Sequence, residues 1–249
     1  MPVMDEFKEE RNSLRDKPLK DKLNYFWDYY KWHTILTLLA VIIGTSLIRD
    51  ILTRKDSALF AILLNAYPLS DDMSGFTDQY AEYAGIDTGK YDVVFNDTLR
   101  MGDETDEASL NASQMIMVHV ASRDMDIMTM DTPNFNSYAY NGAYMDLRDI
   151  LTPEQIAAYQ NRLFYIDGAV VAELDEARND LSSEHVIECP AHDDPSSMSD
   201  PIPVGISLRD CGIFDEYYSY GNEEGFLGVV IDCPHVDHVL ALIRFLFDE

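Results

Sequence analysis

The stretch Trp32–Leu52, WHTILTLLAVIIGTSLIRDIL, constrains this chain most, because fifteen consecutive residues from Thr34 to Ile48 carry no charge. At about 1.5 Å per helical residue that run is roughly 22 Å long, against a bilayer core of about 30 Å. The flanks extend it. Trp27, Tyr29, Tyr30 and Trp32 precede the run, and aromatic rings favour the membrane interface. Arg49 can snorkel. From Trp27 to Ile48 a helix would measure about 33 Å, which is enough to span. Apolar residues surround the helix, whereas a core helix keeps one polar face. A cleaved signal peptide is the other alternative, but no A-x-A-like site follows. We therefore expect residues 32–52 to be a transmembrane helix, preceded by a cytoplasmic tail (1–31) and followed by a neck (53–57).

Seven Lys or Arg precede the span, and only Arg49, Arg54 and Lys55 follow it before Lys90. Positive residues stay inside, so the C-terminal region is expected outside the cell. Pro18 is expected to divide the tail into two short helices, the second amphipathic through Leu19, Leu23 and Phe26.

The net charge is −27. Residues 1–33 hold seven basic and seven acidic side chains, so the negative charge belongs to the region after the span. Such a domain lacks the basic footprint needed for nucleic acid. Three cysteines, Cys189, Cys211 and Cys233, are too few for a disulfide scaffold, and spacing does not say whether two of them pair.

Beyond residue 58, apolar runs of strand length alternate with helical periodicity. Strands are expected at 59–64, 91–95, 125–130, 164–166, 203–208 and 226–231. Helices are expected near 76–83, 110–120 and 135–147, from Thr152 to about Arg162, and over 236–247. Residues 65–71 read as a loop, Asp167-Gly168 as a turn, residues 178–200 as an irregular excursion, and 215–222 as a loop or short helix. The acidic stretch 103–107 suits a helix N-terminus. This alternation predicts an α/β domain over 58–249, with a mostly parallel sheet and flanking helices.

Ligands in open α/β sheets bind beyond the carboxyl ends of the strands. That places Asn65, Tyr67, Asn96, Asp131 and Thr132 at the expected rim, although Asp and Thr there also serve as helix caps. Cys189-x2-His192 and Cys233-x-His235-x2-His238 contain metal-binding atoms, but the spacing fits no standard zinc site. No metal or cofactor is expected. The motifs G-x-S-x-G, H-E-x-x-H, G-x-x-x-x-G-K-[ST] and G-x-G-x-x-G are missing, so a non-enzymatic protein is expected.

Three segments resemble the type 2 periplasmic-binding fold of bacterial extracellular solute-binding proteins. They are Asp126-Ile-Met-Thr-Met-Asp131 with Phe135, Gly142 and Asp146-Leu147; Arg162-Leu-Phe-Tyr-Ile-Asp-Gly168; and Gly228-Val-Val-Ile231 with the terminal helix. The stretch Leu23–Lys31 is similar to that of uncharacterised membrane proteins of gut clostridia. Solute-binding proteins have two lobes, whereas only about 35 residues separate Gly168 from the strand at Pro203. The resemblance therefore implies one lobe with a vestigial second. It also implies a membrane-anchored binding protein for a small solute or an envelope partner, with an envelope hydrolase as the rival.

Overall fold

The computed structural model describes residues 18–53, 55–70, 72–102, 106–179 and 187–247. The chain divides into two compact units, Met1–Arg54 and Lys55–Glu249.

The described part of the first unit is one helix, α1 (Leu19–Thr53). It starts directly after Pro18 and stays unbroken through Gly44. The first expected tail helix lies in residues 1–17, outside the described residues, and the second is not a separate short helix but the start of the continuous α1. The segment Lys31–Arg49 is long and apolar enough to cross a membrane, with mean hydropathy 1.5, and none of it is buried. A soluble core helix would have its apolar face packed. Thr45, one of the polar residues of this segment, donates its hydroxyl back to the carbonyls of Val41 and Ile42, at 2.8 and 3.0 Å.

The second unit is an α/β domain. Its strands are β1 (Asp56–Leu63), β2 (Tyr67–Pro68), β3 (Tyr91–Asn96), β4 (Ile127–Asp131), β5 (Leu163–Asp167), β6 (Pro201–Ser207), β7 (Tyr218–Ser219) and β8 (Gly225–Val229). Its helices are α2 (Ser74–Ala84), α3 (Glu107–Ser122), α4 (Thr132–Tyr140), α5 (Pro153–Tyr159), α6 (Gly168–Asn179), α7 (Gly212–Asp215) and α8 (Val236–Phe247). Six strands form one sheet in the order β3-β1-β4-β8-β6-β5. Strands β3, β1, β4 and β6 point one way, and β8 and β5 oppose them. The sheet is therefore mixed. Most strands share a direction, but only the β1–β3 and β1–β4 pairings are parallel. Two of the antiparallel pairings arise because β8 inserts between β4 and β6, and the third is that of the edge strand β5 with β6.

The sheet is buried on both faces. Leu59, Ala61 and Leu63 of β1 join a cluster with Phe76 and Tyr80 of α2 and Val239, Leu242 and Ile243 of α8. Ile62 and Leu64 join the opposite cluster with Ala112 and Ile116 of α3 and Phe135 and Ala139 of α4. Burial on both faces is why β1 reads as a continuous apolar run rather than an alternation. On the α4 side, a Cβ on Gly205 of β6 or Gly228 of β8 would collide with the ring of Phe135 or Tyr144. Those two rings stack at 4.4 Å.

Several local expectations change. Tyr67-Pro68 is not plain loop but pairs with β7 in a separate two-stranded sheet. Asp167-Gly168 is not a turn. The buried Asp167 carboxylate accepts from the N–H groups of Ala169, Ser199 and Asp200, at 3.0, 2.7 and 2.9 Å. It thus caps α6 and fixes the chain entering β6. Helix α5 ends at Tyr159 rather than Arg162, although its start is as expected: Thr152 and Gln155 form a reciprocal capping box with Pro153 at the first turn. Residues 187–200 are irregular apart from one short helical turn, Pro195–Ser197.

Candidate functional site

Strand β1 delivers Asn65 just beyond its carboxyl end, and its neighbour β4 delivers Asp131 at its last position. The turn after Leu63 forces Asn65 into the left-handed region (φ 61°), which Asn tolerates better than most residues. Its side chain works in both directions. Nδ2 donates to the Met101 carbonyl at 2.7 Å and to Asp131 Oδ2, while Oδ1 accepts from Met101 N–H at 2.8 Å. The segment after β3 is thereby tied to the ends of β1 and β4. Asp131 is nearly buried, and its Oδ1 caps α4 by accepting from Asn134 N–H and Nδ2, at 3.1 and 2.8 Å.

Between these elements lies a cleft of about 350 Å³. Its walls include Asn65, Tyr67, Arg100, Asp131, Tyr220 and Glu223. Asp106 and Ser109 enter from the start of α3. There Asp106 is the helix cap, accepting from Ser109 N–H at 2.8 Å, and this bond holds its carboxyl below the usual range. Residues 103–105 of the expected acidic stretch lie outside the described residues. The Tyr220 hydroxyl shares a 2.6 Å hydrogen bond with Thr129 Oγ1. Burial pushes the Tyr220 phenol far above its ordinary range, so it remains protonated.

Three of the five expected rim residues, Asn65, Tyr67 and Asp131, come together in this cleft. The other two do not line it. Asn96 spends its carbonyl on the N–H and hydroxyl of Thr98, at 3.1 and 2.7 Å. Thr132 turns away and donates to the Glu224 carbonyl at 3.1 Å. Sequence reasoning missed Arg100, Asp106, Tyr220 and Glu223. Arg100 had a usable signal: cations are scarce in this acidic domain, and this one follows the end of a strand. Tyr220 and Glu223 are far away in sequence and arrive only through the β7–β8 connection.

The Cys/His residues do not form a metal centre. Among the described residues, no three His, Cys, Asp or Glu side chains are placed to hold an ion. His192 stacks on Phe164 at 4.4 Å. Cys233 and His235 both turn to Asp126, which is fully buried. One Asp126 oxygen accepts from the Cys233 thiol at 3.2 Å and from His235 N–H at 3.0 Å; the other accepts from Phe60 N–H at 2.8 Å. His235 Nδ1 lies 3.1 Å from both oxygens. This cluster pins the start of α8 to the amino-terminal edge of β4, away from the cleft. All three cysteines are free thiols.

No known protein family, curated protein or solved structure matches this chain.

Proposed function

We propose that the chain is a single-pass membrane protein whose acidic α/β domain, held outside the cell, binds a small ligand between the carboxyl ends of β1 and β4. The observation that carries this reading is the cleft itself, with Asn65 and Asp131 locked in its floor and Tyr67 on its rim. Its volume is at the small end of ligand pockets. Binding is favoured over catalysis because Asp131 and Asp106 spend their carboxylates on capping rather than standing as an acid–base pair. Location and orientation rest on the apolar segment Lys31–Arg49 and on the excess of Lys and Arg before it.

The test is thermal melting of the full-length protein in detergent against sugars, amino acids, peptides and divalent cations. A ligand at about 100 times its dissociation constant adds about 2.7 kcal/mol. A response that disappears in Tyr67→Ala is the expected result. A folded protein that responds to nothing would overturn the small-ligand reading. Protease applied to intact cells should remove the domain; a protected domain would reverse the orientation.

A second reading is supported by α3, which exposes Leu110, Met117 and Val118. An apolar face of this kind suits an envelope protein partner. Cross-linking in the membrane through cysteines placed at 117 and 118 would test it, and the absence of any adduct would remove it.

A further inference from the structure

Arg100 is the cation of the candidate cleft, and its hydrogen bonding is lopsided. Both protons of Nη1 are spent on backbone, donating to the carbonyls of Asp97 and Leu99 at 2.5 and 2.8 Å. The guanidinium carbon sits 4.9 Å from the centroid of the Tyr67 ring, a cation–π distance. The side chain is thus fixed from two directions. Its opposite edge, formed by Nε and Nη2, makes no hydrogen bond among the described residues. No described carboxylate pairs with it either, although Asp106, Asp131 and Glu223 line the same cleft. Arg123, Arg148, Arg178 and Arg209, by contrast, each pair with a carboxylate.

The Nε/Nη2 edge is the planar fork that takes a carboxylate through two parallel N–H···O bonds. An immobilised fork that no carboxylate among the described residues engages is suited to an anion brought by the ligand. The rest of the cleft sets the remaining charge. Glu223 is exposed, and its carboxylate has no hydrogen-bond partner among the described residues. With a chain charge of −27, a ligand bearing only negative charge is repelled on approach. A neutral zwitterion avoids that cost. Its carboxylate meets Arg100, and its ammonium group faces the acidic rim.

We propose that the cleft between Asn65, Arg100 and Glu223 takes a small zwitterion, an organic carboxylate carrying its own ammonium group, with the Nε/Nη2 edge of Arg100 as the carboxylate receptor. This rests on the reading that the cleft binds a ligand, and it names the class.

The experiment compares the common L-α-amino acids and β-alanine with their primary amides, with acetate, and with neutral monosaccharides. Binding to the full-length protein in detergent is measured by calorimetry and thermal shift. The expected result is that one or more zwitterions bind, that the matching amides bind at least about tenfold more weakly, and that Arg100→Gln weakens the acid by about tenfold or more. Arg100→Lys keeps the charge but loses the fork, so it is expected to weaken the acid as well. Glu223→Gln is expected to narrow the preference for the zwitterion over acetate. The melting temperature of the unliganded variants shows that they are folded. Amides that bind as well as acids, or acids held equally by Arg100→Gln, overturn the zwitterion while leaving a binding cleft. A monosaccharide response that Tyr67→Ala abolishes does the same. Silence from every probe overturns both readings.

Discussion

Asn65 Nδ2 donates to the carboxylate of Asp131, so a single amide–carboxylate bond joins the ends of two neighbouring parallel strands. The same amide holds both backbone groups of Met101. Substitution of Asn65 therefore releases three partly buried groups at once. Asn65→Ala should cost roughly 1–3 kcal/mol, with a further cost because φ is positive there. Asn65→Gly relieves the backbone but still lacks the amide, so it should remain destabilised. Urea denaturation of the two variants checks this. Wild-type stability in Asn65→Gly would show that the side-chain bonds contribute nothing.

Asp126 should be the most sensitive carboxylate of the domain. It is fully buried and satisfied by two backbone N–H groups, a thiol and an imidazole. Asp126→Ala leaves those donors facing a void, and the expected loss is on the order of 3 kcal/mol or more. His235→Ala removes one donor from a site with others left and should cost less. The ordering of the two denaturation midpoints decides the matter; equal effects would mean that the carboxylate acts only through His235.

Burial, reinforced by the neighbouring Asp126 charge, pushes the Cys233 thiol up to about 12. Thiolate is the reactive species, so near pH 8 Cys233 should resist iodoacetamide. Cys189 is exposed and should label first. Mass spectrometry of timed samples gives the order, and equal rates for the two cysteines would contradict this arrangement.

Acid should weaken the domain partly through Asp167. Backbone donation from Ser199, and then from Asp200 and Ala169, holds its carboxyl below the ordinary 3.8. A pKa depressed in the folded state contributes stability above the unfolded value, and that stability is lost as pH falls through the folded value. The contribution is therefore complete near neutrality and is lost progressively as pH falls below about 4. Asp167→Asn should flatten the pH dependence of the urea midpoint in that acid range. Curves of identical slope would exclude Asp167 as a contributor.

Gly228→Ala should be destabilising by about 1–3 kcal/mol, because its Cβ enters the space of the Tyr144 and Phe135 rings. Pairing it with Tyr144→Ala tests the cause. If the clash is the reason, the two changes together should cost less than the sum of their separate effects.

The apolar run 34–48, the six strand positions and the Thr152 capping box were legible in the sequence because each depends on neighbours within a few residues. Hydrophobic length, two-sided burial and side-chain capping leave local patterns. The orientation of the strands did not. A run such as Gly225–Val229 looks the same whether it runs with its neighbours or against them, and only the packing of α8 and the insertion of β8 beside β4 settle it. The cleft was half legible for the same reason. Asn65, Tyr67 and Asp131 lie at or just beyond the carboxyl ends of β1 and β4, so a rule about strand ends finds them, but it also selects Asn96 and Thr132, whose bonds turn them elsewhere. Arg100 and Tyr220 are separated by 120 positions in sequence and share one wall only because β3 and β8 both flank the β1–β4 pair. Tertiary structure likewise gave Asp126 its role. Nothing near it in sequence announces a buried carboxylate, and its partners Cys233 and His235 arrive more than a hundred residues later.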